Sequence, residues 1–130
     1  TRQNDHLIAS QLALATGAAS EVKQNYAVTA VRVKKFSDDT RKKLYQWHVG
    51  DGFLYISQWL RLEEVANSLV EQCQTMSYYG VDLQEIIKAF HSAPITQVDR
   101  IVPLGQSLDF SPVWDGYDLL NQLSRQVVAR

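Results

Sequence analysis

Cysteine is almost missing from this 130-residue chain, where Cys73 stands alone. An internal disulfide is therefore excluded, and a reducing, cytoplasmic setting is the expectation. An excess of one charge is missing too. Thirteen basic residues face fourteen acidic ones, for a net charge of −1. The local basic clusters are Arg32-Lys34-Lys35 and Arg41-Lys42-Lys43, the second preceded by Asp38-Asp39. That balance argues against a nucleic-acid partner, which needs a basic face. No run approaches the roughly 18 apolar residues of a membrane span. The uncharged stretch 7–19 lacks a basic leader and is broken by Ser10 and Gln11, so it reads as a helix and not a signal peptide. Repeats and low-complexity tracts are absent, as are a P-loop, a nucleophile elbow and an H-E-x-x-H pair. No initiator Met precedes Thr1, which we read as truncation of a longer product.

What is present suits a folded domain. At 14.8 kDa, with 45% hydrophobic and 21% charged residues, the chain is long enough to bury a core and reads as a single domain over 1–130. Asn4 or Asp5 can cap a helix over 5–16 that turns Leu7, Ile8, Leu12 and Ala15 to one face and stops at Gly17. The β-branched stretch 26–33 predicts a strand. Ser37, Asp38 and Asp39 supply an N-cap for a short helix to Trp47, Gly50-Asp51-Gly52 a turn, and 53–56 a short buried strand. Leu62, Val65, Ala66, Leu69 and Cys73 form one apolar stripe and predict a helix over 62–73. The stretch 74–79 predicts a strand ended by Gly80. Asp82-Leu83-Gln84-Glu85 opens a helix with Leu83, Ile86, Ile87 and Phe90 inward, stopped by Pro94. Arg100-Ile101-Val102 predicts a strand closed by Pro103 and Gly105. After a long loop over 106–114, Asp115 or Gly116 opens a last helix with Leu119, Leu120, Leu123 and Val127 inward. Helices alternating with short apolar strands predict an α/β architecture, layered helices on a small, partly parallel sheet.

No complete active site can be assembled from these residues. Cys73 with His48 or His91 is the candidate nucleophile and base, but a thiolate is disfavoured at a helix C-terminus, and Cys73 continues an apolar stripe. His6, His48 and His91 lack ligand spacing, so no metal site is expected. The Gly50-Asp51-Gly52 turn has neither the spacing of a phosphate loop nor its lysine. Trp114 and Tyr117 flank Asp115-Gly116, which at a helix N-terminus could hold an anion or act as a plain cap. Tyr45, Trp47, Phe53, Tyr55, Trp59, Tyr78 and Tyr79 serve either a core or an interface.

Gln74-Thr75 heads one strand, Arg100-Ile101-Val102 runs on to Gly105, and Asp115-Gly116 leads into a leucine-rich segment. In that order and spacing, these segments resemble the C-terminal end of the long-chain acyl-CoA reductases, the fatty-acid reductases of bacterial luminescence systems and their relatives. Gly52-Phe53-Leu54-Tyr55-Ile56 and the 62–73 segment extend the resemblance, which covers about residues 50–128. It implies the C-terminal part of an aldehyde-dehydrogenase-like catalytic domain. It further implies a parent enzyme in which a cysteine thiolate takes the acyl group from a thioester and NADPH reduces the acyl-enzyme to a fatty aldehyde. The family's nucleophile lies upstream of the matched region and Cys73 does not match it, so neither a catalytic nor a cofactor-binding residue is placed on this chain. Arg100, Trp114, Asp115 and Gly116 are the candidate structural or interface residues. The implied partners are the remainder of its own chain and further copies of it. The competing reading is a stand-alone, non-catalytic α/β interaction domain.

Overall fold

The computed structural model describes residues 1–34, 37–69, 73–93 and 98–129. They form an α/β protein with small sheets. The chain divides into two compact units, Thr1–Glu64 and Val65–Arg130.

In the first unit, helix α1 (Arg2–Ala15) is followed by strands β1 (Ala19–Gln24) and β2 (Thr29–Val33), helix α2 (Asp38–Gln46) and strand β3 (Phe53–Ile56). Strand β2 is central. It pairs antiparallel with β1 and parallel with β3, so α2 serves as the crossover that a parallel pair requires. Alternation buries Thr29, Val31 and Val33 on one face of β2, and the register sets Phe53 and Tyr55 beside Thr29 and Val31. Ala9 and Ala13 of α1 and Leu44 of α2 complete that core. The other face leaves Leu54 and Ile56 almost half exposed.

Three expectations are corrected here. Helix α1 begins earlier than predicted and turns the opposite side inward. It buries His6, Ala9, Ser10 and Ala13, while Leu7, Ile8, Leu12 and Ala15 remain exposed. Small side chains let the helix backbone come close to the sheet, and His6 gains a hydrogen bond with Thr29 there. Strand β1 was not foreseen, because Ala-Ser-Glu-Val-Lys-Gln is too polar and its register is broken by a bulge between Ala19 and Glu21. The stretch 26–28 belongs to the hairpin loop rather than to the strand: Asn25 Oδ1 accepts from the backbone N–H groups of Ala27 and Val28. The strand expected as buried over 53–56 forms, but Phe53 alone of it is buried, since Leu54 and Ile56 point to the open face of the sheet; the remaining first-unit elements match. Ser37 caps α2, its hydroxyl accepting from Thr40 N, and Gly50, Asp51 and Gly52 all turn at positive φ ahead of β3.

In helix α3 (Leu62–Ser68), which runs across the division, Ala66 alone is buried. The helix expected over 62–73 ends at Ser68, and Leu69 and Cys73 lie outside any helix; residues 70–72 fall outside the described ones. The second unit then forms a β–α–β crossover: β4 (Thr75–Tyr78), α4 (Leu83–His91) and β5 (Arg100–Pro103), with β4 and β5 parallel. Asp82 caps α4 by accepting from Gln84 N and Glu85 N. Ile86, Ala89 and Phe90 are buried, with Leu83 and Ile87 part-buried beside them. The expected stop at Pro94 lies outside the described residues. Pro103 sits at the strand end, as its missing N–H requires.

The end of the chain differs most. Strands β6 (Val113–Trp114) and β7 (Tyr117–Asp118) form a two-residue hairpin whose turn is Asp115-Gly116, at φ 48° and 78°. These are the positive angles of the primed turns that fit hairpin twist, and Asp-Gly is a preferred pair for them. The helix α5 (Leu119–Leu123) starts later and is capped by Asp118, which accepts from Asn121 N. Leu120, Leu123 and Val127, expected inward, are exposed, because α5 stops after five residues. Among the described residues no helix is long and apolar enough to cross a membrane.

Candidate functional site

The second unit collects the candidate residues of the C-terminal segments at one place. Backbone N–H groups of Asp99 and Arg100 both donate to Gln74 O, at 2.9 and 3.0 Å, which docks the head of β5 on the head of β4. From that point the Arg100 side chain reaches across the following loop. Its Nη1 donates to Ser107 O and its Nη2 to Asp109 O, each at 2.9 Å. The guanidinium carbon lies 4.3 Å from the Trp114 ring centre, within cation–π range. Phe110 stacks on the same indole at 5.7 Å and 25°. Gly116 sits against Asp99, and a Cβ there would stand 3.0 Å from Asp99 Oδ1.

Arg100, Trp114 and Gly116 are therefore brought together, and Asp115 lies in the turn between the last two. Their arrangement is that of a clamp. Two of the five Arg100 N–H donors go to backbone carbonyls, and no proton-transfer or nucleophilic group faces the guanidinium among these contacts. Asp115 and Gly116 do not form a helix N-terminus, so the anion-holding role considered for them there is withdrawn. Trp114 pairs with Tyr117 across the hairpin instead of flanking a helix start.

Cys73 is free and part-buried, two residues before β4. It makes no hydrogen bond to His91 among the described residues. His91, exposed at the end of α4, borders an open apolar cavity of about 220 Å³ with Ile87, Phe90, Val98 and Ile101. A second apolar cavity, about 330 Å³, lies between Phe110, Pro112 and the leucines of α5. No group of three or more His, Cys, Asp or Glu side chains gathers among the described residues.

The first unit holds a set of polar and aromatic groups that the sequence did not single out together, of which His6 and Thr29 are buried. His6 is 4% exposed, and its Nδ1 shares a 2.9 Å hydrogen bond with Thr29 Oγ1. His48 accepts from Gly50 N at Nδ1 (3.2 Å), so the neutral ring carries its proton on Nε2 and donates to Phe53 O (2.9 Å). Phe53 thus lies between two histidine rings, 5.5 and 5.8 Å away, and edge-on to Tyr55 at 5.2 Å. Burial pushes the Tyr55 hydroxyl up to about 12. A signal for His6 existed: it shares the i, i+3, i+4, i+7 face with Ala9, Ser10 and Ala13. Size of side chain hid it. Beside His6 and Arg2 the hairpin loop closes a polar cavity of about 100 Å³.

The resemblance implies NADPH for the parent enzyme, and these residues do not fit it. The polar cavity is far below the roughly 300–1,000 Å³ of a pocket for a sizeable ligand. The two larger cavities are apolar and offer no cradle for a pyrophosphate. No family model, curated protein or solved structure matches this chain.

Proposed function

We propose that this chain is the C-terminal portion of an NADPH-dependent acyl-CoA reductase that reduces a fatty acyl thioester to a fatty aldehyde through an acyl-cysteine intermediate. The nucleophile and the cofactor site lie outside these 130 residues. The fold proposed for the whole is an aldehyde-dehydrogenase-like catalytic domain, cytoplasmic and homo-oligomeric, in which this piece completes the sheet.

One observation carries the reading. The three segments on which the resemblance rests are far apart in sequence, yet Gln74, Arg100 and the Trp114–Gly116 turn are tied to one another by hydrogen bonds, a cation–π contact and close packing. Residues that belong to one family pattern form one physical unit, which is what a retained element of that family would do. The open sheet faces add support, since a small sheet with apolar residues outward belongs beside further layers.

The test is acyl-CoA-dependent oxidation of NADPH by the native protein purified from its source, with trapping of an acyl thioester on a cysteine. The expected outcome is turnover, with the acyl group on a cysteine other than Cys73. Absence of both turnover and acylation removes the reading. The alternative, a stand-alone interaction domain, is favoured by Leu7, Ile8 and Leu12 standing exposed on α1. It predicts capture of a separate protein and no thioester chemistry.

A further inference from the structure

The chain contains two Asp-Gly pairs, Asp51-Gly52 and Asp115-Gly116. Both aspartates have positive φ, 51° and 48°. Sequence and local backbone are thus matched, and the surroundings are not. Asp51 is held on three sides: its carboxylate pairs with Arg2 Nε at 3.1 Å, Gly50 O accepts from Phe53 N, and Gly52 O accepts from Thr29 N. A Cβ on Gly52 would collide with the Ala27 carbonyl oxygen, so that carbonyl lies close against the turn. Asp115 has no ion pair or side-chain hydrogen bond among the described residues, and its neighbours are held by side chains only, Arg100 over Trp114 and Asp99 against Gly116. Its turn closes two strands of two residues each, and Gly116 is exposed. So short a ladder opens readily.

We infer that Asp115-Gly116 is a site of spontaneous aspartate isomerisation and that Asp51-Gly52 is protected from it. In the step, the Gly116 nitrogen attacks Cγ of the protonated Asp115 carboxyl. The N–Cγ bond forms, the Cγ–OH bond breaks, and the hydroxyl leaves as water with the amide proton, giving a succinimide. Water then adds at the former main-chain carbonyl carbon, and cleavage of its bond to nitrogen leaves isoaspartate at unchanged mass. The extra backbone methylene falls in a turn that tolerates only two residues. The Trp114–Tyr117 pair and the Arg100–Trp114 contact are lost with it. An isoaspartate-directed methyltransferase is the class of enzyme that would recognise the product.

The experiment ages the full-length protein for days at neutral pH, digests it, and quantifies isoaspartate by methyltransferase labelling and peptide mapping. Expected is about tenfold more isoaspartate at Asp115 than at Asp51, because reaction requires local opening. In denaturant the two sites should react alike. Arg2→Ala should raise reaction at Asp51, and Asp115→Glu should abolish labelling of the 115 peptide. Equal or faster reaction at Asp51 in the folded protein overturns the inference. So does a difference that persists in denaturant, which would assign it to sequence instead of structure.

Discussion

Arg100 is the residue on which the C-terminal unit turns. A lysine keeps the charge but offers no planar fork, so it cannot serve two carbonyls and stack on an indole together. Arg100→Lys should therefore destabilise the fold by about 2 kcal/mol, read as a lower urea midpoint with an unchanged slope. A midpoint within error of the parent's would mean that the clamp is incidental. Tyr55 gives a prediction of another kind. Its hydroxyl ionises near 12 when folded, above the ordinary value of 10.0, because burial disfavours the charged form. A group with a raised folded pKa contributes its stability below the unfolded value and loses it as pH climbs. Stability attributable to Tyr55 should hold up to about pH 10 and fall between 10 and 12. The difference spectrum between parent and Tyr55→Phe isolates its ionisation, and a step already complete near pH 10 in the folded protein would contradict the burial argument.

At the scale of elements, caps and turns carry the definition. Asp82 satisfies two orphan N–H groups of α4, so Asp82→Ala should cost about 1 kcal/mol by urea denaturation. Gly52 sits at φ 83° against the Ala27 carbonyl. Gly52→Ala adds both a left-handed penalty and a collision, and should cost about 3 kcal/mol or more, seen as a large drop in melting temperature. Local chemistry of this kind is legible in sequence. Ser37, Asp82, the 50–52 turn and the β4, α4 and β5 strands and helix are all read correctly from hydrogen-bonding residues and apolar spacing. What is not legible depends on partners. The inward side of α1 is chosen by how close a helix can lie to a sheet, which favours Ala9, Ser10 and Ala13 over larger leucines. Asp115-Gly116 suits both a helix start and a hairpin turn, and the leucines that follow pull the reading towards a helix. Asp118, with Asn121 three residues on, is the true cap. The gathering of Arg100 and Trp114 spans fourteen positions (114 − 100) and has no periodic signal.

At the scale of the whole molecule, many large apolar side chains among the described residues stay exposed. Leu60, Leu108, Phe110, Leu123 and Val127 are all at least 75% exposed. Apolar surface of that kind is covered by other layers in a protein that functions as a larger body. The central claim of the proposed function is that this chain is part of such a larger body. The intact mass of the native gene product in its source cells tests this most directly. The account predicts a mass several times 14.8 kDa, with a nucleotide-binding region and a reactive cysteine upstream of Thr1. A native mass near 14.8 kDa would contradict it and leave a small interaction domain in its place.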